Sequence, residues 1–403
     1  MKKNKKRKTN NPNLLLYFFL VWLLKLFSFL KGRRFEGKKI IIKGPAITLS
    51  NHTTWFDFAY TVGAIYPRRA RGVAAEKMFY DHKMGFFLKI SKTIPKKLYD
   101  SDTKTVMEVL RALRDKQIIM IFPEGQISCT GHPLHIGKAI VKLIKTANVD
   151  VYLIKHKAAC FESPAWSKCS FPGKFYTETR LLLSKEQIKD TNDEEIFTLI
   201  KDALYIEPYE YAKEKNLFFK VKNIKNLETV LCECVKCHSL NIINKKKFLH
   251  CNDCGYDAIY DKQGFLDKQT IPSLYISQRN RIQKKYENDS AYKLASSVIL
   301  EGYVDKKLKT IGHGYLELSG EGYLYKGIIY GEEKTLIIPI SSVSSLPSDL
   351  GYNIQIYFQN VFYQFRFSER YYPILFVMFG EILFEQIVSS NERHGSINFQ
   401  NND

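Results

Sequence analysis

His52 and Asp57 stand five positions apart, in the stretch His52-Thr53-Thr54-Trp55-Phe56-Asp57 that directly follows the apolar run 46–50. A histidine at the end of a buried strand, with a carboxylate within the next turn and a half, can work as a general base. The carboxylate takes the imidazole Nδ1–H and fixes the tautomer, which leaves Nε2 free to accept a proton. Residues five apart do not share a face of an ideal helix. The reading therefore needs His52 to sit ahead of a helix opened by Asn51 or Thr53 as its cap. Taken alone, the same spacing also fits a capped helix with Asp57 in its first turns, where the dipole favours anions.

A second group of residues narrows the choice. Phe122-Pro123-Glu124-Gly125 follows another strand-like run, 117–121, about 70 residues downstream. In this order and at this separation, the pair of motifs resembles the glycerolipid acyltransferase superfamily, which includes lysophosphatidic acid and glycerol-3-phosphate acyltransferases. The resemblance spans residues 14–215, about half the chain. It implies acyl transfer from a thioester donor, acyl-CoA or acyl-carrier protein, to a lipid hydroxyl, without a catalytic cofactor. His52 would be the base and Asp57 its orienting partner, with Phe122, Pro123, Glu124 and Gly125 lining the acceptor site. The favoured acceptor is lysophosphatidic acid, with phosphatidic acid as product.

The chain departs from the family pattern in three places. Lys96 and Lys97 stand where an arginine is usual, which supplies charge but no bidentate fork for phosphate. Gln126-Ile127-Ser128 replaces the usual Thr-Arg-Ser, and the strand 151–154 lacks the family's proline. Another lysolipid is therefore the alternative acceptor. A rival of a different class is an inactive, zinc-containing adaptor for anionic membranes or nucleic acid, with nucleic acid the less favoured partner. Cys129, Cys160 and Cys169 read as structural thiols rather than acyl carriers, and His132 and His135 as surface or core residues.

Such chemistry needs a scaffold that gathers strand ends. Apolar runs at 38–43, 46–50, 71–75, 117–121 and 151–154 alternate with helical patterns at 55–65, 77–90, 102–116 and 134–147. That alternation implies an α/β sheet with its working residues at strand ends. Thr191-x-x-Glu194 reads as a capping box opening a helix over 195–205.

The formal charge of +20 predicts attraction to phospholipid headgroups, nucleic acid or phosphorylated substrates. A basic stretch at 2–8 precedes an aromatic-rich apolar run at 14–30, flanked beyond by Lys31, Arg33 and Arg34. Seventeen helical residues span about 25 Å, slightly short of a hydrocarbon core. The expectation is a helix lying in or along the cytoplasmic face of a membrane with its basic flanks on headgroups, and a single spanning helix is the alternative.

Cys234-x2-Cys237 and Cys251-x2-Cys254, with Gly255 after the last, have the spacing of a zinc ribbon holding structural Zn²⁺ on four thiolates. Cys232 and His238 are lower-ranked ligands. This usage also argues for a reducing compartment. After a helical connector around 278–286, strands are expected at 314–318, 322–325, 335–340, 354–359 and 361–367, then a helix over 371–387. Strands closed by one helix look similar to the pleckstrin-homology or GRAM-like fold. The organisation expected is thus 1–36 basic N-terminus and membrane-embedded or interfacial helix, 37–220 α/β acyltransferase domain, 228–266 zinc ribbon, 267–300 connector, 301–390 β-rich domain and 391–403 disordered tail.

Overall fold

The structure, a computed structural model, describes residues 14–38, 40–80, 82–96, 103–305, 307–343 and 345–397, and every count and absence below is of these residues. Residues 1–13, Lys97 and 398–403, on which several expectations fall, lie outside them. The chain forms two compact units. One runs up to Lys222 and includes Lys262–Gly264; the other holds Asn223–Asp261 and Phe265 onward.

In the first unit, α1 (Leu14–Leu30) leads through β1 (Arg33–Glu36) and β2 (Ala46–Ser50) to α2 (Asp57–Ile65). Then come β3 (Ala70–Ala75), α3 (His82–Ile90), β4 (Ile94–Lys96), α4 (Thr103–Arg114) and β5 (Ile118–Ile121). The sheet is completed by α5 (Ala139–Ala147), β6 (Asp150–Lys157) and β7 (Phe175–Leu183). The order across the sheet is β1-β7-β6-β2-β5-β3-β4. β2 pairs in parallel with β5 and β6, β5 with β3, and β3 with β4. The C-terminal ends of these five strands therefore share one edge. β7 turns back antiparallel to β6.

All of β2 is buried, because a central parallel strand has helices on both faces; this is why it reads as a continuous apolar run. Ile47, Leu49, Ile119 and Leu153 face one core, with Val109, Ile140 and Ile144. Ala46, Ile118 and Ile154 face the other, with Ala64 and Ile65 of α2.

Several elements differ from the sequence expectation. The run 38–43 is not a strand: only Ile42 buries, while Ile40 and Ile41 stay exposed ahead of Pro45. β1 and β4 supply strands that short length and charge concealed, and β7, Phe175–Leu183, is a nine-residue strand that was not expected. The pattern at 77–90 splits into a 3₁₀ turn, Glu76–Phe79, and α3. α5 starts at Ala139 rather than 134, and the Leu134 N–H is bonded to the Glu124 carboxylate, 2.9 Å away. The helix Asp193–Leu204 is capped by Asn192, whose side chain accepts the Glu195 N–H, whereas the Thr191 hydroxyl closes the preceding turn on Gln187 O.

The alternative of a single spanning helix needs correction. No helix among the described residues is long and apolar enough to cross a membrane. α1 packs on α2, buries Tyr17, Val21 and Ser28, and its Tyr17 hydroxyl accepts the Ala70 N–H at 2.9 Å. Two of its three flanking cations, Lys31 and Arg33, turn inward. Lys31 pairs with buried Glu162 at 2.8 Å, Arg33 is buried against Tyr60 O at 2.6 Å, and Arg34 lies over the Phe29 ring. The opposite face keeps Leu15, Phe19, Trp22, Leu26 and Phe29 exposed.

In the second unit, β8 (Ile242–Lys245), β9 (Phe248–Cys251) and β10 (Asp257–Ile259) form a three-stranded antiparallel sheet. The helix Ile271–Asn288 follows, and it is more than a connector. Buried Gln278 accepts the Glu233 N–H and donates to Val230 O, while Arg281 pairs with Glu233 at 2.6 Å. Next come β11 (Leu294–Val304), β12 (Lys307–Ser319), β13 (Gly322–Ile329) and β14 (Glu332–Ile338), then β15 (Ser348–Asp349), β16 (Asn353–Phe358) and β17 (Val361–Phe367).

Their order is β14-β13-β12-β11-β17-β16-β15, antiparallel throughout. The expected boundary at residue 300 falls inside β11, whose serines at 296 and 297 mask its alternation; the strand is central and pairs with β12 and β17. The closing helix, Tyr372–Ile397, buries Phe376, Met378 and Phe379 against the sheet. It runs on into the stretch 391–403 that composition marked as disordered.

Candidate active site and cysteine cluster

His52 lies in the loop that leaves β2, and Asp57 is the first residue of α2, so the histidine stands ahead of the helix. The residue at the N-cap position is Phe56, not Asn51 or Thr53, and its side chain caps nothing. Asp57 is fully buried. Its Oδ2 lies 3.1 Å from His52 Nδ1 and accepts the N–H groups of Thr53 at 2.5 Å and Thr54 at 2.8 Å. The Thr54 hydroxyl reaches Oδ1 at 3.3 Å. A buried carboxylate needs such donors. Here they are the backbone of the turn that carries His52, so one group fixes both the turn and the ring.

The adjacency of β2 and β5 brings the second motif to the same edge. Phe122 stacks on the imidazole, with centroids 4.4 Å apart and planes 26° from parallel. The Gly125 N–H closes a turn onto Phe122 O at 3.1 Å, with Pro123 and Glu124 between them. Gly125 has φ +74°, a region that favours glycine, and a Cβ there would meet nothing within 4 Å. Glu124 is buried, with Oε1 accepting the His52 N–H and Oε2 the Leu134 N–H, each at 2.9 Å. Burial pushes its pKa up to about 7, against the pull of those two donors. The Ser128 N–H donates to His52 O at 2.9 Å, so both polar groups of the His52 backbone are held by the 122–134 loop.

Lys96 is not brought to this group. It is exposed at the end of β4, three strands from β2 and about 14 Å away across the sheet. His132 pairs with Glu207 at 2.8 Å. Cys160 is buried and its thiol is pushed well above the usual range by burial, which opposes an acyl-thioester role.

Sequence reasoning missed three supports. Asn51 joins β2 to β6 through two bonds to the His156 backbone, at 2.8 and 3.0 Å; a short amide directly before the histidine was the available signal. His156 is buried with its ring nitrogens 2.9 Å from Thr61 Oγ1 and 3.0 Å from Thr177 Oγ1, and burial holds its pKa down to about 4. Glu162 gathers Lys31, Tyr60 and Ser163, and nothing in its local sequence signals that.

In the second unit, the Sγ atoms of Cys234, Cys237, Cys251 and Cys254 all lie within 4.8 Å of one another. Cys234–Cys254 and Cys237–Cys251 are 3.7 and 3.6 Å apart. Tetrahedral zinc with bonds of about 2.3 Å places its sulfurs roughly 3.8 Å apart, so the donor set fits such an ion. The two knuckles repeat each other. The Cys234 N–H donates to Ser239 O and the His238 N–H to Cys234 O; the Cys251 N–H donates to Tyr256 O and the Gly255 N–H to Cys251 O. His238 and Gly255 occupy equivalent positions, with φ 62° and 71°. Cys232 is instead buried in the core of the β-rich domain, and His238 is not among the grouped ligands.

The Acyltransferase family model matches residues 32–156, which hold both motifs. Among solved structures, the chain is similar to the 1-acyl-sn-glycerophosphate (LPA) acyltransferase PlsC from Thermotoga maritima. The TM-score is 0.41 at 15% identity, over 50% of this chain and 81% of that one. A comparison with curated proteins returns no match. The matched segment carries His52, Asp57 and the Phe122–Gly125 turn together, and it supports a relation to the glycerolipid acyltransferase superfamily.

Proposed function

We propose that the protein is a membrane-associated O-acyltransferase that moves a fatty acyl group from a thioester donor to the hydroxyl of lysophosphatidic acid. The observation that carries this reading is the His52–Asp57 pair, 3.1 Å apart, with the imidazole one-fifth exposed and stacked beside the Glu124-Gly125 turn. With the proton of Nδ1 held by Asp57, Nε2 carries the free lone pair. It takes the acceptor's hydroxyl proton as that oxygen attacks the thioester carbon. The tetrahedral adduct collapses to the ester, the C–S bond breaks, and the proton on Nε2 passes to the departing thiolate. The open space beside Gly125 is where the acceptor approaches. Acyl-CoA and acyl-carrier protein both supply the thioester, and the reaction needs no catalytic cofactor.

A second acceptor class, another lysolipid, is favoured by Gln126-Ile127-Ser128. The Ser128 N–H is already bonded to His52 O and its hydroxyl accepts the Gly131 N–H, so this segment presents no guanidinium to a phosphate. The apolar outer face of α1 supports attachment to the cytoplasmic face of a membrane, along the surface rather than across it. We read the four thiolates as the ligands of a structural Zn²⁺. We read the antiparallel domain with its closing helix as pleckstrin-homology- or GRAM-like.

The test is a panel of lysolipid acceptors offered to the purified full chain with both thioester donors. Wild type is expected to acylate lysophosphatidic acid, with His52→Ala and Asp57→Asn slower by about 10²- to 10⁴-fold. Transfer to none of the acceptors, or a His52→Ala rate equal to wild type, overturns the reading and leaves the non-catalytic adaptor.

A further inference from the structure

We infer that Glu124 is a positioning residue acting through His52, and not a ligand of the acyl acceptor; this rests on the acyltransferase reading above. Family resemblance places this glutamate on the acceptor side. The geometry gives its two oxygens a different occupation. Oε1 accepts the N–H of His52, a residue 72 positions away in the chain, and Oε2 accepts the N–H of Leu134, ten positions on. The side chain thus ties the β2 exit loop to the far end of the 126–134 loop. The Ser128 N–H holds the His52 carbonyl from the same loop, so the peptide of the base is gripped at both of its polar groups.

Only 8% of Glu124 is exposed, and each of its oxygens already accepts a backbone N–H. An anionic acceptor offers only further acceptor atoms, which a carboxylate repels. A glycerol hydroxyl could use only the remaining lone pairs, and burial leaves these little access. The bonds instead set where the imidazole stands relative to Asp57 and Phe122, and a base misplaced by a fraction of an ångström loses rate without losing affinity.

Glu124→Gln keeps the volume but offers one acceptor oxygen where there were two, so one amide bond is lost. In the full chain, residue-resolved amide exchange is expected to be at least tenfold faster at His52 or Leu134 in this variant, with the β2 and β5 amides unchanged. Unchanged exchange at both positions overturns the inference. Glu124→Asp keeps the charge but is one methylene too short to span both amides. It is read in the same way and decides the matter if Gln disturbs the whole sheet.

In turnover, kcat is expected to fall ten- to a hundredfold while KM for the lysolipid stays within twofold, and Glu124→Gln adds nothing to His52→Ala. A raised KM at unchanged kcat, or a full further loss on top of His52→Ala, makes Glu124 an acceptor contact and overturns the inference. If wild type acylates no lysolipid, the proposed function falls, and the exchange result still decides whether the clamp exists.

Discussion

The imidazole of His52 lies flat on the ring of Phe122, centroids 4.4 Å apart, although the two residues leave different strands. The ring presses one face of the base while Asp57 holds its Nδ1 edge. Phe122→Ala should lower kcat about tenfold through a looser imidazole and leave KM nearly unchanged, with a stability loss of about 1–3 kcal/mol. Steady-state kinetics and denaturant unfolding check this. A Phe122→Ala enzyme of wild-type kcat would show that Asp57 orients the ring unaided.

Two buried groups beside the site titrate in opposite senses. His156, held down to about 4 by burial, binds its proton less readily in the folded state, so stability is present above pH 6.5 and lost as pH falls through 4. Glu124, pushed up to about 7, is the reverse: its contribution is present below 4.5 and lost as pH rises through 7. Between pH 4.5 and 6.5 the two slopes, each about 1.4 kcal/mol per pH unit, offset one another. Relative to wild type, Glu124→Gln should make stability rise with pH across this window, and His156→Gln should make it fall. Denaturant midpoints at several pH values measure both. Parallel pH profiles for the three proteins would refute the assignment.

The cysteine cluster should hold one zinc ion per chain. Elemental analysis of protein purified without added metal is expected to show it, and Cys251→Ser or a strong chelator to remove it. Because structural zinc contributes directly to folding, the second unit should then unfold at a lower temperature. Metal-free protein with an unshifted transition would reduce the four thiols to packing.

His238 holds a left-handed conformation that its counterpart, Gly255, adopts without a Cβ penalty. His238→Gly should therefore stabilise the ribbon by about 1 kcal/mol, and Gly255→Ala should destabilise it by a similar amount. Thermal unfolding of the metal-loaded full chain reads both. A loss on His238→Gly would mean that the imidazole makes a contact worth more than the backbone strain.

The outer face of α1 makes a further prediction. Trp22→Glu combined with Leu26→Glu should cut binding to lipid vesicles at least tenfold without lowering the unfolding midpoint, since both side chains are exposed. Vesicle co-sedimentation tests it. Equal sedimentation of variant and wild type would move the membrane contact elsewhere.

The geometry of the His52–Asp57 pair was legible because it lies in residue identity and strand-end position. His52 and Asp57 share one turn, and β2 and β5 each announce themselves as apolar runs. Glu124 was legible as a residue but not as a contact, since nothing local says that its oxygens reach amides 72 and ten positions away. The same holds for Asn51 and His156. For Lys96 the sequence said less: in so basic a chain, a lysine near a motif in sequence carries little information about its distance in space. Short or polar strands such as β1, β4 and β11 were hidden because pairing with neighbours, rather than their own pattern, makes them strands. The flanks of α1 were misread because Lys31 and Arg33 have buried partners that only the tertiary fold supplies.

The lateral contact of β2 with β5 also bears on how the protein acquires its activity. A local segment can form the His52 turn, but the amide of that residue has no carboxylate until the chain has closed a long loop and delivered Glu124. Pairings of such separation are slow to find, since the entropy of closure comes before any reward. A partly assembled chain therefore carries every reactive group without a competent base. On the proposed function, competence toward a thioester would follow only once the sheet is finished.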